Sequence, residues 1–195
     1  MVPLTELWLP ILTSAALVFV VSSIIHMVLP YHRTDYARVG DEEQMRDDLR
    51  RASLAPGQYA VPHAATPKDL SSPEYAAKLE QGPVAFMTVL PNGKPFMGKS
   101  LGLWFLYSVI VSVVAGYVAS RALPLPAVTT YGDVFRFVGT AAFAGYVLGG
   151  WQESIWFGRP WGTTLKSSMD GLIYALLTAG VFGWLWRESW GAGLD

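Results

Sequence analysis

Few side chains of this sequence are placed to do chemistry, and most of them are ionisable groups in or beside long apolar stretches: His26, Arg136, Glu153 and Asp170. Hydrocarbon does not solvate charge, so groups of this kind need partners or mark ion pathways. The densest polar run is His26-Met-Val-Leu-Pro-Tyr-His32-Arg-Thr-Asp35-Tyr36. Pro30 lacks an N–H and ends or kinks a helix, which sets His32 and Asp35 on one side of a turn. Loop folding would add His63. Two imidazoles with a carboxylate suit zinc, or non-haem iron with open positions. His26, His32, Asp35 and His63 are therefore the candidate metal ligands, although their spacing is that of no established metal motif. In the plainer reading His26 is hydrogen-bonded across helices, and His32, Arg33 and Tyr36 sit at headgroup level.

A second candidate cluster consists of His26, Lys99, Glu153, Lys166 and Asp170. Arg136 and Glu153 bracket 16 uncharged residues, as do Asp170 and Arg187. At about 1.5 Å per residue each pair of charges stands ~24–26 Å apart, slightly less than a ~30 Å hydrocarbon core. Arginine snorkels to the headgroups, whereas the shorter acids do so poorly. Glu153 and Asp170 therefore need counter-charges. Lys166, one turn before Asp170 on the same helix face, is one candidate, with Lys99 and Arg159 as others. Such a cluster is either a paired collar that fixes helix depth or a proton- or ion-handling site.

The elements that position these groups are four apolar stretches, roughly Leu7–Leu29, Ser100–Leu123, Val134–Phe157 and Met169–Trp186. Each is about long enough to cross a bilayer. The chain of 195 residues is 52% hydrophobic and 15% charged, which is low in charge for a soluble protein. It reads as an all-α integral membrane protein forming a single membrane domain over 1–195. Four transmembrane helices (7–29, 100–123, 134–157, 169–186) would be separated by a long loop, 30–99, between the first and second. The first stretch has no preceding Lys or Arg and no small-residue cleavage pattern after it, so it reads as a retained helix rather than a signal peptide.

Lys and Arg set the expected orientation. The first loop carries Arg33, Arg38, Arg46, Arg50, Arg51, Lys68, Lys78, Lys94 and Lys99, and the third carries Arg159 and Lys166. The other side has only Arg121, Arg136 and Arg187. The positive-inside rule then puts both termini outside and the long loop in the cytoplasm of a multi-pass inner-membrane protein. His26, His32, Lys99, Glu153, Lys166 and Asp170 collect at one membrane face.

Small residues recur every fourth position: Ser108, Ser112, Gly116 and Ser120; Ala141, Gly145 and Gly149; Ala175, Ala179 and Gly183. Such faces let helices approach closely in lipid, within one chain or between subunits. The eight Trp fall near predicted helix ends, as an interfacial belt requires.

The loop is expected to hold two short helices and a candidate β-hairpin. Asp41 caps a helix over 42–52, and Ser72-Pro73 starts one over 73–81 that ends at Gly82. Val84–Leu90 reads as a strand, with a Pro-Asn-Gly turn at 91–93 leading to a second extended piece around Lys94–Met97. Ala55–Tyr59 has turn chemistry. Both faces of the strand are largely apolar, which points to a protein or membrane contact.

The absence of cysteine excludes disulfides, thiolate metal sites and thiol catalysis. The net charge of −1 argues against a nucleic-acid partner. Gly-Lys-Ser at 98–100 lacks the upstream glycine spacing of a phosphate-binding loop. Bis-histidine haem is disfavoured, because only His26 lies within a helix span. No cofactor is expected beyond lipid contacts, and nothing argues positively for an enzyme. The first expectation is an accessory or structural subunit of a larger membrane complex. The second is a small transporter or ion- or proton-coupled protein using the polar cluster, and the third a metal-dependent membrane enzyme.

Overall fold

The computed structural model describes residues 2–94, 97–123 and 128–186. They divide into two compact units: a helical one, built from the chain up to Asp35 and again from Phe96 onward, and a smaller one over Tyr36–Pro95.

The helical unit contains α1 (Trp8–Met27), α5 (Met97–Ala122), α6 (Tyr131–Tyr146), α7 (Trp151–Phe157) and α8 (Trp161–Leu185). α1 packs against α5 and α8, and α6 packs against the same two, so four helices close into a ring. Three helical segments are long and apolar enough to cross a membrane: Leu4–Met27, Met97–Ala122 and Trp161–Leu185. Their outer faces carry Leu12, Ile24, Leu106, Ile110, Val114, Ile173 and Leu176, all exposed, as a lipid-facing surface requires. Their inner faces are small. Ser108, Ser112, Gly116 and Ser120 are all buried within the chain, and Ser112 shares a 3.0 Å hydrogen bond with Ser14 of α1. A Cβ at Gly116 would stand 3.0 Å from the Phe182 ring of α8. Ala175 and Ala179 are likewise buried, and Gly183 lies against Tyr131.

The third expected span, 134–157, is not one continuous helix. α6 has 16 residues, about 24 Å at 1.5 Å per residue, and stops at Tyr146. A 3-10 turn over Leu148–Gly150 follows, and then α7. Two consecutive glycines weaken a helix by their backbone entropy. Close packing coincides with the break: a Cβ on Gly171 of α8 would stand 2.6 Å from Val147 Cγ2 and 3.2 Å from the Tyr146 carbonyl oxygen. The expected fourth span also shifts. α8 starts at Trp161, eight residues before Met169, so two polar turns precede the apolar run and bring Lys166 into the helix.

The smaller unit holds α2 (Glu42–Arg51), β1 (Gly57–Val61), α3 (Pro67–Leu70), α4 (Pro73–Gln81) and β2 (Ala85–Val89). It therefore has three short helices rather than two. The Asp41 carboxylate accepts the Gln44 N–H, and Ser72 accepts that of Tyr75, satisfying donors that a helix start leaves open. β2 pairs antiparallel with β1, with Gly57 opposite Val89 and Val61 opposite Ala85. The expected hairpin through 91–93 is thus replaced by a non-local pairing, in which Gly57–Tyr59 are strand rather than turn. Of the expected second strand, Pro95 and Phe96 lie outside the described residues, and Met97 belongs to α5. None of the unit's described residues is buried.

Candidate functional site

α1 ends where Pro30 requires it. The Val28 and Leu29 N–H groups both donate to the Ile24 carbonyl, and a 3-10 turn over Pro30–Thr34 begins with Pro at its first position. This turn places His32 and Asp35 three residues apart on one side. α8 contributes Lys166 and Asp170, one helical turn apart. The two short pairs interlock. His32 Nδ1 lies 2.6 Å from Asp35 Oδ2, and His32 Nε2 lies 2.7 Å from Asp170 Oδ2. Lys166 Nζ donates to Asp35 Oδ1 at 2.8 Å, to the Tyr31 carbonyl at 2.8 Å and to Thr34 Oγ1 at 2.9 Å. An ammonium group has three hydrogens, and each has an acceptor here.

Both oxygens of Asp35 and both nitrogens of His32 are therefore engaged. Asp170 is only 2% exposed, and its Oδ1 has no hydrogen-bond partner among the described residues. The Lys166 ammonium, and then the His32 ring, hold the Asp35 carboxyl below the usual carboxylate range by hydrogen bonding to it.

The protons of this chain of contacts can be counted. A neutral imidazole has one N–H. With carboxylate oxygens 2.6 and 2.7 Å from its two nitrogens, one contact would oppose lone pair to lone pair. For both contacts to be hydrogen bonds, one acid or the second ring nitrogen has to supply the other hydrogen.

His26 completes the surroundings. Its ring centroid is 4.6 Å from that of His32, and Tyr31 covers His32 at 4.1 Å. One ligand atom each from His26, His32 and Asp170 lie within 4.8 Å of one another. One turn further into the bundle, an aromatic layer closes the site from the apolar interior. Tyr174, one turn along α8 from Asp170, contacts Trp104 and Tyr146 with centroid distances of 5.8 and 5.6 Å. Trp104 Nε1 donates to Ser22 Oγ at 2.7 Å, one turn before His26 on α1. The Tyr107 hydroxyl donates to the Gly145 carbonyl at 2.5 Å.

The two clusters expected from sequence are regrouped. His26, His32, Asp35, Lys166 and Asp170 come together. Asp35 holds His32 from behind rather than facing the space shared with His26. His63 lies exposed in the smaller unit. Lys99 and Glu153 are exposed and take no part in the described network. Lys166 bonds Asp35, and Asp170 is met by His32 instead. Thr34, the Tyr31 carbonyl, Tyr174 and Tyr146 are not singled out by sequence; the i, i+3 and i, i+4 spacings around His32 and Lys166 were the available signal. Of the tryptophans, Trp104 is half-buried against Tyr146 and Tyr174, Trp186 is buried within the chain, and Trp190 and Arg187 lie outside the described residues. No protein-family model matches the chain, and neither a curated protein nor a solved structure does.

Proposed function

We propose that this chain is a cation-handling membrane protein, a small transporter or ion-coupled protein, whose working site is the Lys166–Asp35–His32–Asp170 chain with His26. The observation that carries this reading is the 2.7 Å approach of His32 Nε2 to a carboxylate on a residue only 2% exposed. A buried acid is costly in or near a membrane. Here the lysine is directed to Asp35, and the buried acid faces an imidazole instead.

In this reading α6, although short, serves as a fourth membrane helix, and the excess of basic residues puts the site at the cytoplasmic side of an inner membrane, with both termini outside. The accessory-subunit reading drew on the lack of chemistry motifs, the tryptophan belt, the small-residue helix faces and the apolar-faced strand of the loop; Gly145 and Gly149 of the third such face, and Val84, Phe86 and Leu90 of the strand region, stay exposed. The small residues of α5, and Ala175 and Ala179 of α8, are filled within the chain, which leaves them nothing to offer a partner.

The test is reconstitution in lipid vesicles carrying entrapped proton- and metal-sensitive dyes. Wild-type protein should dissipate an imposed cation gradient faster than protein-free vesicles. Asp170→Asn, purified as a monodisperse species, should lower that rate by about tenfold or more, corresponding to ~1.4 kcal/mol or more of barrier. Equal rates for wild type, variant and empty vesicles would return the chain to a structural role.

A further inference from the structure

We propose that the cation is a divalent transition metal of the zinc class, bound by His26, His32 and Asp170; this rests on the cation-handling reading and names its ligand. A proton between His32 and Asp170 would satisfy that contact, but it leaves two observations without a purpose. One is His26, whose ring lies 4.6 Å from that of His32 and which offers a nitrogen within 4.8 Å of the other two ligand atoms. The other is Asp170 Oδ1, an oxygen on a residue only 2% exposed with no partner among the described residues. A metal ion uses both, since it takes a second imidazole and can accept either or both oxygens of the carboxylate.

The chemistry of the donors agrees. Zinc binds imidazole nitrogen at about 2.0–2.1 Å and carboxylate oxygen at about 2.0–2.2 Å, so tetrahedral ligand atoms stand ~3.3–3.5 Å apart. The present spacings lie on either side of that value: 2.7 Å between His32 and Asp170, and up to 4.8 Å within the trio. Two imidazoles and one carboxylate leave a coordination position open, as a site that exchanges its ligand needs. With no thiolate in the chain, soft monovalent copper is disfavoured. The surroundings are those of a metal-bound histidine. A ligating imidazole is commonly oriented by a carboxylate on its other nitrogen; Asp35 occupies that position on His32, and Lys166 fixes Asp35.

The experiment uses the full chain in mild detergent, stripped with chelator and titrated with Zn(II) and, for its absorption spectrum, Co(II). The expected result is one equivalent per chain with visible Co(II) bands of low coordination number. His26→Ala, a change at an exposed position, purified as a monodisperse species, should abolish those bands. Asp35→Asn should weaken binding by about 10- to 100-fold. Absence of stoichiometric binding, or unchanged affinity in His26→Ala, overturns the metal proposal. If metal fails to bind while Asp170→Asn still suppresses proton movement in vesicles, this proposal falls and the cation-handling reading stands. If both measurements fail, both fall.

Discussion

Lys166 is bound at all three of its hydrogens, and this makes it the residue that fixes the turn at Pro30–Thr34 to α8. Its contact with Asp35 spans 131 positions of sequence. Removing one member of an enclosed ion pair strands the other charge, whereas removing both does not. Lys166→Met should therefore lower the thermal midpoint in detergent, and the double variant Lys166→Met/Asp35→Asn should recover part of the loss. A double variant no more stable than the single one would show that the pair does not hold the turn. At this scale the sequence was half legible. Pro30 reveals the end of α1, and the spacing of His32 and Asp35 reveals a shared side. Nothing local to Lys166 indicates that its partner lies on another segment, and the nearer acid, Asp170 on its own helix face, is the obvious but incorrect choice.

Among the elements, α8 decides the arrangement, because it packs against both α1 and α6 and supplies two residues of the site. Its approach to the end of α6 depends on Gly171, where an added Cβ would meet Val147 at 2.6 Å and the Tyr146 carbonyl at 3.2 Å. Backbone does not yield as a flexible side chain does, so Gly171→Ala should cost about 1–3 kcal/mol. Gly149→Ala, where a Cβ meets nothing within 4 Å, should be close to neutral. Unfolding of the two variants in denaturant separates them; equal losses would mean that the close crossing is not real. Uninterrupted apolar runs made α1, α5 and the apolar part of α8 readable. The same criterion missed the first two polar turns of α8 and joined α6 to α7 across a glycine pair, because average apolarity does not register a backbone break. The pairing of β1 with β2 escaped for a different reason. A Pro-Asn-Gly turn signals a local hairpin, while pairing between strands separated by two helices leaves no local mark.

For the whole molecule, three membrane-length helical segments and one shorter helix enclose an inner face of small and hydroxyl-bearing residues, and His26, His32, Asp35, Lys166 and Asp170 meet at one end of that bundle. The smaller unit, with none of its described residues buried, shows how little of this chain is built to fold by an aqueous core. Residues 138 positions apart meet, so that His32 is held between Asp35 and Asp170. The chain has three histidines, which makes nitrogen NMR of the 15N-histidine-labelled protein in lipid the most direct measurement. With His32 held between the two acids, Asp170→Asn should shift its Nε2 resonance and Asp35→Asn its Nδ1 resonance, each with a smaller change at the other nitrogen. A His32 spectrum unaltered by either substitution, like that of an imidazole free in water, would contradict this arrangement.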